Sequence, residues 1–266
     1  MQRFLFIVIV CLFASCEKDL VLTQDIEAGN LADYLARVNP EKTSNTLWAH
    51  AGNHPFFERT IDEQTVHIRM HLPDEYSNVQ LFISDSINYP DSLKLFSRID
   101  KDVLHKNGDL FGLFAIKETQ DNRSRLAIVS IESSDSTYLS SPILLRANNK
   151  ATNTKNTSGI SIETTPGGRA YVNWNGAGID EPWKNLVELR DQTGAVFCAV
   201  ETNNLSFLFY DLRNVTRNFT PELRDPRLIE GQVYSITIYR NDNQGWMRNY
   251  RLLEFEADSR RIQEFD

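Results

Sequence analysis

Short runs in which apolar and polar residues alternate are the feature that most constrains the fold of this chain. Residues 66–72 alternate in this way, and so do residues 234–238. A period of two predicts a β-strand with one buried face and one face turned to solvent. The polar members of the first run are His67, Arg69 and His71, which we therefore predict to face solvent.

Other apolar runs, separated by polar turns, fall into two groups. Residues 147–157 lie between the groups and contain Asn, Thr and Lys but no large apolar residue, which favours a linker. The pattern predicts an all-β protein with one β-sandwich at 58–146, a second at 158–258 and a C-terminal tail at 259–266. The polar residues 118–124 are predicted to join two of the runs as a hairpin. The runs are residues 79–83, 110–116, 126–131 and 142–145, then 160–162, 170–174, 186–190, 196–200, 206–210 and 246–255.

The segment before the first sandwich, residues 17–57, is predicted to be a polar tether followed by a short helix and irregular chain. Asn30 is placed to cap a helix that continues through Val38, and Pro40 stops it. We expect residues 45–57 to be irregular chain packed at the edge of the first sandwich.

The first sixteen residues have the form of an export signal. Arg3 precedes an uninterrupted apolar run from Phe4 to Ala14. That run is about half of the roughly 20 residues that a membrane-spanning helix needs, so it is not predicted to be a transmembrane segment.

The end of this signal, residues 12–16 with the sequence LFASC, resembles a bacterial lipobox. The resemblance implies that residues 1–16 are a lipoprotein signal peptide and that Cys16 is lipidated. Phe13 departs from the pattern, because a smaller residue usually holds that position. The alternative is ordinary secretory cleavage near Ala14, with Cys16 an incidental thiol. Several acyl chains on one cysteine would anchor the protein firmly to a membrane, whereas one chain binds only marginally.

Acidic residues follow the proposed lipid site. Glu17 and Asp19 resemble the signal that sends lipoproteins of Bacteroidetes-type cells to the outer face of the outer membrane. We expect an outer-membrane lipoprotein at the cell surface, and the periplasmic face is the alternative.

Charge and cysteine content narrow the classes of partner. The formal net charge is −8, and loss of Arg3 with the signal makes the mature chain one unit more negative. An acidic surface argues against nucleic acid and anionic lipid as partners.

Beyond Cys16 the mature chain holds Cys198 alone, so no intrachain disulfide can form and the core must supply the stability. Cys198 lies in an apolar run, which predicts a buried, inert thiol.

Two motifs in the second half resemble the fibronectin type III pattern. They are Val172-x-Trp174 in an early strand and Leu228-x-x-Gly231-x-x-Tyr234 at the start of a late one. In the immunoglobulin- and fibronectin-III-like sandwiches that this implies, the tryptophan fills the core and the tyrosine hydroxyl bonds back to the chain.

The resemblance covers about residues 158–258, and residues 211–226 form a longer and more charged connection than is usual in the family. Together with the lipobox, it makes the chain similar to surface lipoproteins of Bacteroidetes that have two such modules and are described as adhesins or glycan-binding accessories.

The chain shows no convincing catalytic or metal-binding pattern. Four of the five histidines lie between His50 and His71, but the strand prediction separates His67 from His71 by roughly 13 Å, too far to share one zinc ion. His50 and His54 are closer in sequence, but they match no familiar zinc spacing. No Gly-x-Ser-x-Gly motif is present. We therefore expect no enzyme activity, no bound metal and no cofactor.

The glycine-containing stretch at 164–169, with the sequence TTPGGR, lies between two predicted strands. A phosphate-binding loop would instead open a helix, so this stretch is predicted to be a hairpin turn.

Two tryptophans are candidate ligand-binding aromatics. Trp183 follows a proline in a turn-like stretch, and Trp246 follows Gly245 after a polar turn. Exposed aromatic rings stack on the apolar faces of sugars, and the alternative is that both tryptophans pack over a sandwich edge.

The function we expect is a lipid-anchored envelope protein that binds or adheres to a glycan or protein ligand. The alternatives are a structural subunit that pairs through exposed strand edges and, less favoured, a hydrolase, which would need a cleft of converging polar groups.

Overall fold

A computed structural model of the chain describes residues 29–38, 40–52, 65–87, 92–101, 103–105, 110–117, 123–146, 159–165, 167–174, 183–209, 211–220, 227–258 and 262–265. The predicted signal peptide, its Cys16 and the predicted linker at 147–157 lie outside these residues. The exact limits of the two domains therefore stay predictions. Within the described residues no helix is long and apolar enough to span a membrane.

Strands make up most of the regular secondary structure in the described residues, which confirms the predicted all-β class. One α-helix, α1 (Leu31–Arg37), precedes them, and short 3-10 turns lie at Pro40–Lys42, Leu93–Leu95 and Leu212–Asn214. The strands are β1 (Thr43–Leu47), β2 (Ala49–Gly52), β3 (Thr65–His71), β4 (Asn78–Ser84), β5 (Ser97–Ile99), β6 (Leu104–His105), β7 (Phe111–Lys117), β8 (Arg125–Glu132), β9 (Thr137–Ser140), β10 (Ile143–Leu145), β11 (Ile160–Thr164), β12 (Ala170–Trp174), β13 (Lys184–Arg190), β14 (Val196–Thr202), β15 (Ser206–Leu208), β16 (Arg217–Asn218), β17 (Val233–Asn241), β18 (Met247–Glu256) and β19 (Ile262–Phe265).

The short helix forms where the sequence predicts it. The side chain of Asn30 accepts a hydrogen bond of 2.9 Å from the backbone N–H of Asp33 and so caps the first turn. Leu31 and Tyr34 are buried against the outer side of a sheet, where they join a cluster that includes Phe82. The Tyr34 hydroxyl donates to a Glu132 carboxylate oxygen at 2.8 Å, which ties the helix to β8.

The first sandwich consists of two sheets. One has the strand order β1-β9-β8-β4-β5, with β10 also paired to β8, and the other has the order β2-β3-β7-β6. Ile68 and Phe114 from one sheet pack with Val129 and Ile131 from the other, so the core lies between the sheets.

Two expectations for this sandwich are wrong. In the segment 45–57, predicted to be irregular, residues 45–47 belong to β1 and residues 49–52 form β2, which join different sheets, and residues 53–57 lie outside the described residues. The strands that flank residues 118–124 do not form a hairpin, since β7 pairs with β3 and β6 while β8 pairs with β4, β9 and β10. The period of a strand pattern does not reveal which sheet each strand joins.

The second sandwich pairs a sheet of order β15-β12-β11-β19 with one of order β16-β14-β13-β17-β18. Trp174 is buried in its core with only 2% of its surface exposed, as predicted. The Tyr234 hydroxyl accepts a 3.0 Å hydrogen bond from the backbone N–H of Ile229, which is the expected tyrosine corner. The predicted tail is in part a strand, because Ile262–Phe265 pairs with β11.

The TTPGGR stretch makes the predicted hairpin turn. β11 and β12 run antiparallel on either side of it, and the backbone N–H of Thr165 donates to the carbonyl of Arg169 at 2.8 Å. Gly168 adopts φ = +74°, a conformation that favours glycine, and an added Cβ would lie 3.0 Å from the Leu228 carbonyl.

Candidate functional site

The polar face of β3, predicted to face solvent, is mostly buried. His67 and Arg69 are 5% and 6% exposed, and His71 is half-buried. This face packs against the outer face of the β16-β14-β13-β17-β18 sheet of the second sandwich. The alternation in the sequence identified the two faces of the strand correctly, but it did not show that a second domain covers the polar one. We call this contact between the two outer faces the junction.

A buried ionic cluster lies in the junction. The Arg69 guanidinium pairs with the carboxylate of Glu188, which is fully buried. Arg190 Nη2 donates to the other oxygen of the same carboxylate at 3.2 Å. The Arg69 guanidinium also lies 3.8 Å from the ring centroid of Phe111 and 4.8 Å from that of Tyr239. The carboxylate is therefore shared by two cations, and aromatic rings shield the pair from water.

A second polar contact crosses the junction at Trp48. The indole Nε1–H donates to Glu201 Oε2 at 2.6 Å. The other oxygen of Glu201 accepts from Thr216 Oγ1 at 3.1 Å and lies 3.7 Å from Lys184 Nζ. The Trp48 ring packs at 5.2 Å, centroid to centroid, from Phe219 of the second sandwich. Trp48 is thus an aromatic anchor with its one polar atom satisfied.

His50 lies beside Trp48 and stays neutral. Burial, followed by the positive charges of Lys184, Arg217 and Arg69, lowers the pKa of His50 to about 3. Its Nε2 lies 3.9 Å from Glu201 Oε2, but a neutral imidazole makes no ion pair. The pKa of His67 is also lowered by burial.

No group of three or more His, Cys, Asp and Glu residues in the described part of the chain is arranged to hold a metal ion. His54 lies outside the described residues.

A small cavity in the junction is lined by Trp48, His50, His67, Arg69, Tyr239 and Asn241, and it has room for a water-sized molecule. Buried polar atoms of its lining residues, including His50 Nδ1, Arg69 Nη1 and Asn241 Nδ2, have no hydrogen-bond partner. A cavity of this size with polar groups in its lining can hold an ordered water and is too small for a substrate.

Trp246 lies in a second contact region between the two sandwiches. It is 4% exposed and packs in the core of the first sandwich, next to Ala51. The turn before it is tied to the first sandwich, since the Ala51 N–H donates to the Gly245 carbonyl at 2.8 Å and Arg146 donates to Asp242 at 2.8 Å. The prediction of a solvent-facing ring at Trp246 is therefore wrong, because the first domain occupies the space where a ligand would stack.

Trp183 and Cys198 lie in the second sandwich. Trp183 is half-buried, and the Arg240 guanidinium lies 5.2 Å from its ring centroid. Its role as a ligand-binding aromatic stays a prediction. Cys198 is 2% exposed, and burial raises the pKa of its thiol to about 12, so the predicted burial of the thiol is confirmed.

Sequence reasoning missed the acids that hold the junction together. Glu188 is the only charged residue in the run Leu186–Leu189, whose other members are apolar on both strand faces. A strand of this composition is usually buried on both sides. That signal could have indicated that Glu188 is buried and has a cationic partner, but not that the partner is Arg69, 119 positions away.

Comparison with known proteins leaves the family open. No protein family and no curated protein matches this chain. Among solved structures, one that matches is the crystal structure of chicken CNTN1 FN1-FN3 domains, with 12% sequence identity over 79% of this chain and 65% of that chain. This chain therefore covers less than two thirds of that structure. The TM-score of 0.26 is too low to assign a shared arrangement.

Proposed function

We propose that this chain is a lipid-anchored protein of the bacterial cell surface that works as a non-enzymatic binding or adhesion protein. The observation that carries the proposal is the junction, where two β-sandwiches are joined through the Arg69–Glu188 pair and the hydrogen bond from Trp48 to Glu201. Cys16, ahead of the described residues, supplies the proposed anchor.

The junction favours binding over catalysis because its ionisable groups are used to join the domains. Glu188 pairs with two arginines, and Glu201 accepts from Trp48 and Thr216. Buried ionic contacts need good geometry, so they favour one orientation of the sandwiches over others. A single orientation holds any ligand-binding surface in a constant position relative to the anchor, which reduces the entropy lost on binding.

The anchor and the cell surface are tested on intact cells. We expect metabolic labelling with a fatty acid to mark the wild-type protein, and the Cys16→Ala variant to lose both the label and its attachment to the membrane. We expect externally added protease to digest the wild-type protein while a periplasmic marker survives. Protection of the protein together with the marker would place it inside the outer membrane and refute surface adhesion.

Ligand binding is tested by comparing adhesion of these cells with that of cells lacking the gene, on surfaces coated with glycans or host-type proteins. The proposal expects adhesion to at least one coating that is lost with the gene. Adhesion that is equal in the two strains on every coating would refute it.

The structural-subunit alternative has one specific observation in its favour. β18, residues Met247–Glu256, is the outermost strand of its sheet among the described strands, and outer strands can pair with another chain. Cross-linking on intact cells distinguishes the alternatives, because a subunit would be recovered in one defined assembly whether or not a ligand is present.

A further inference from the structure

The core of the second sandwich ends in arginines. On β17, Ile236 and Ile238 point into the core, and Arg240 follows at the same spacing. On the neighbouring β18, Leu253 faces Ile236, and Arg251 faces Ile238. Because side chains alternate along a strand, Arg240 and Arg251 lie on the core side of the sheet, diagonally across from each other.

Arg240 is buried without a counter-charge. It is 8% exposed, and its Nε and Nη2 atoms have no hydrogen-bond partner. Among the described residues no carboxylate pairs with it, whereas Arg69 and Arg190 share Glu188. A guanidinium keeps its charge in proteins, so burying one without an anion is costly. Burial and the nearby Arg251 lower the pKa of Arg240, which shows that its charge is poorly compensated.

Hydrogen-bond donors lie near Arg240 in the described part of the chain. The guanidinium lies 5.2 Å from the ring centroid of Trp183, whose buried indole N–H has no hydrogen-bond partner. Arg251 adds a second positive charge. Trp183, Asn249 and Arg251 are each partly exposed, so this end of the sandwich can be reached from solvent. Hydrogen-bond donors and positive charge around an aromatic ring are the chemistry that binds an oxyanion on a ring-shaped ligand.

We propose that Arg240, Arg251 and Trp183 form a binding site for the carboxylate of an acidic sugar. Arg240 supplies charge-assisted hydrogen bonds to the carboxylate, Arg251 adds positive charge, and the indole packs on the sugar ring. The inference goes beyond the proposed function, because the site would bind this ligand whichever membrane face the protein occupies.

One competing explanation is a single water. Asn185 lies opposite Arg240 on β13, and its buried Oδ1 also has no hydrogen-bond partner. A water between the two side chains would satisfy that oxygen and one of the arginine donors. It would leave the positive charge uncompensated, so the two explanations differ in whether an anion binds.

The test follows the indole N–H signals of the full-length protein, labelled with nitrogen-15, by NMR. The Trp183→Phe variant assigns the Trp183 signal. Galacturonic acid is added at constant ionic strength, which keeps non-specific charge effects equal. Galactose, which has a hydroxymethyl group in place of the carboxylate, is the matched control ligand, and sodium sulfate is the free-anion control.

We expect galacturonic acid to shift the Trp183 signal to saturation at millimolar concentrations, and galactose to leave it unchanged. Arg240→Gln and Arg251→Gln should each weaken binding about tenfold or more, the usual effect of losing a charged hydrogen-bonding or pairing group. Arg125→Gln removes an arginine that pairs with the exposed Asp85 in the first sandwich, and it should have no effect.

The absence of a saturable shift with galacturonic acid would overturn the proposal, and it is the result expected for a water-filled site. Equal shifts with galactose would also overturn it. Sulfate that binds as tightly as galacturonic acid would indicate a free-anion site without sugar recognition and would likewise refute the proposal. If Arg240→Gln does not fold, Arg251→Gln decides the outcome, because Arg251 is only partly buried. An unchanged affinity in that folded variant would also refute the site.

Discussion

The Glu188→Gln substitution tests whether the buried ionic cluster joins the two sandwiches. The change keeps the size of the side chain but removes the charge that Arg69 and Arg190 share. Removing one member of a buried ion pair typically costs about 3–5 kcal/mol, because the remaining charge is left buried without compensation. Since Glu188 is 0% exposed, solvent cannot replace it, and we expect a loss in this range.

The assay is urea unfolding of the full chain, followed by tryptophan fluorescence and circular dichroism. Two domains need not unfold in one step, so the midpoint of each transition is compared separately. We expect the transition that reports Trp48 to move most, because Trp48 packs against Phe111, which in turn stacks on Arg69.

The matched control is Asp211→Asn, which breaks an ion pair with Arg213, whose side chain is 86% exposed. Exposed pairs contribute little to stability, because water and salt screen the two charges. The Arg69→Met variant should lose less stability than Glu188→Gln, because Arg190 still neutralises the carboxylate. In the double variant Arg69→Met with Glu188→Gln, the losses should be less than additive. If Glu188→Gln shifted the midpoints no more than Asp211→Asn, the junction would not depend on this cluster.

Three further predictions concern single residues. His50 has a pKa of about 3 in the folded protein against 6.5 for the free side chain. Between these pH values the unfolded state binds a proton that the folded state does not, so the free energy of unfolding decreases as the pH is lowered. At pH 5 this loss, relative to neutral pH, is about 2 kcal/mol. The His50→Gln variant should lose correspondingly less stability between pH 7.5 and pH 5 in urea titrations, and an identical pH dependence would contradict a buried neutral histidine. Cys198 should react with a thiol reagent only after unfolding, and fast reaction in the native protein would contradict its burial. Tyr234→Phe removes the acceptor of the Ile229 N–H hydrogen bond and should lower the free energy of unfolding by about 1–2 kcal/mol. The control Tyr171→Phe, at a residue 37% exposed, should leave the free energy of unfolding nearly unchanged. Equal losses of stability in the two variants would rule out the hydrogen bond of the tyrosine corner as the cause.

Local features of this protein could be predicted from the sequence because they depend on neighbouring residues. The strand periods at β3 and β17, the Asn30 cap and the TTPGGR turn each involve residues close along the chain, and the structure has them as predicted. The core position of Trp174 and the burial of Cys198 follow from their place in apolar runs. The proposed export signal is also a pattern of consecutive residues, which is why it can be proposed without a fold.

The candidate site depends on contacts between residues far apart in the chain. Arg69 meets Glu188 across 119 positions, and Trp48 meets Glu201 across 153. Trp246 lies in a polar turn of the second half, yet it fills the core of the first sandwich.

The sequence by itself therefore determined where many of the strands form, although not β1, β2 or β19, and which side chains share a face. Only the tertiary structure decided which sheet each strand joins, and that the polar face of β3 is covered by a second domain. The physical reason is that strand period and turn chemistry are local, whereas burial of a polar face depends on a complementary charge that arrives from a distant part of the chain.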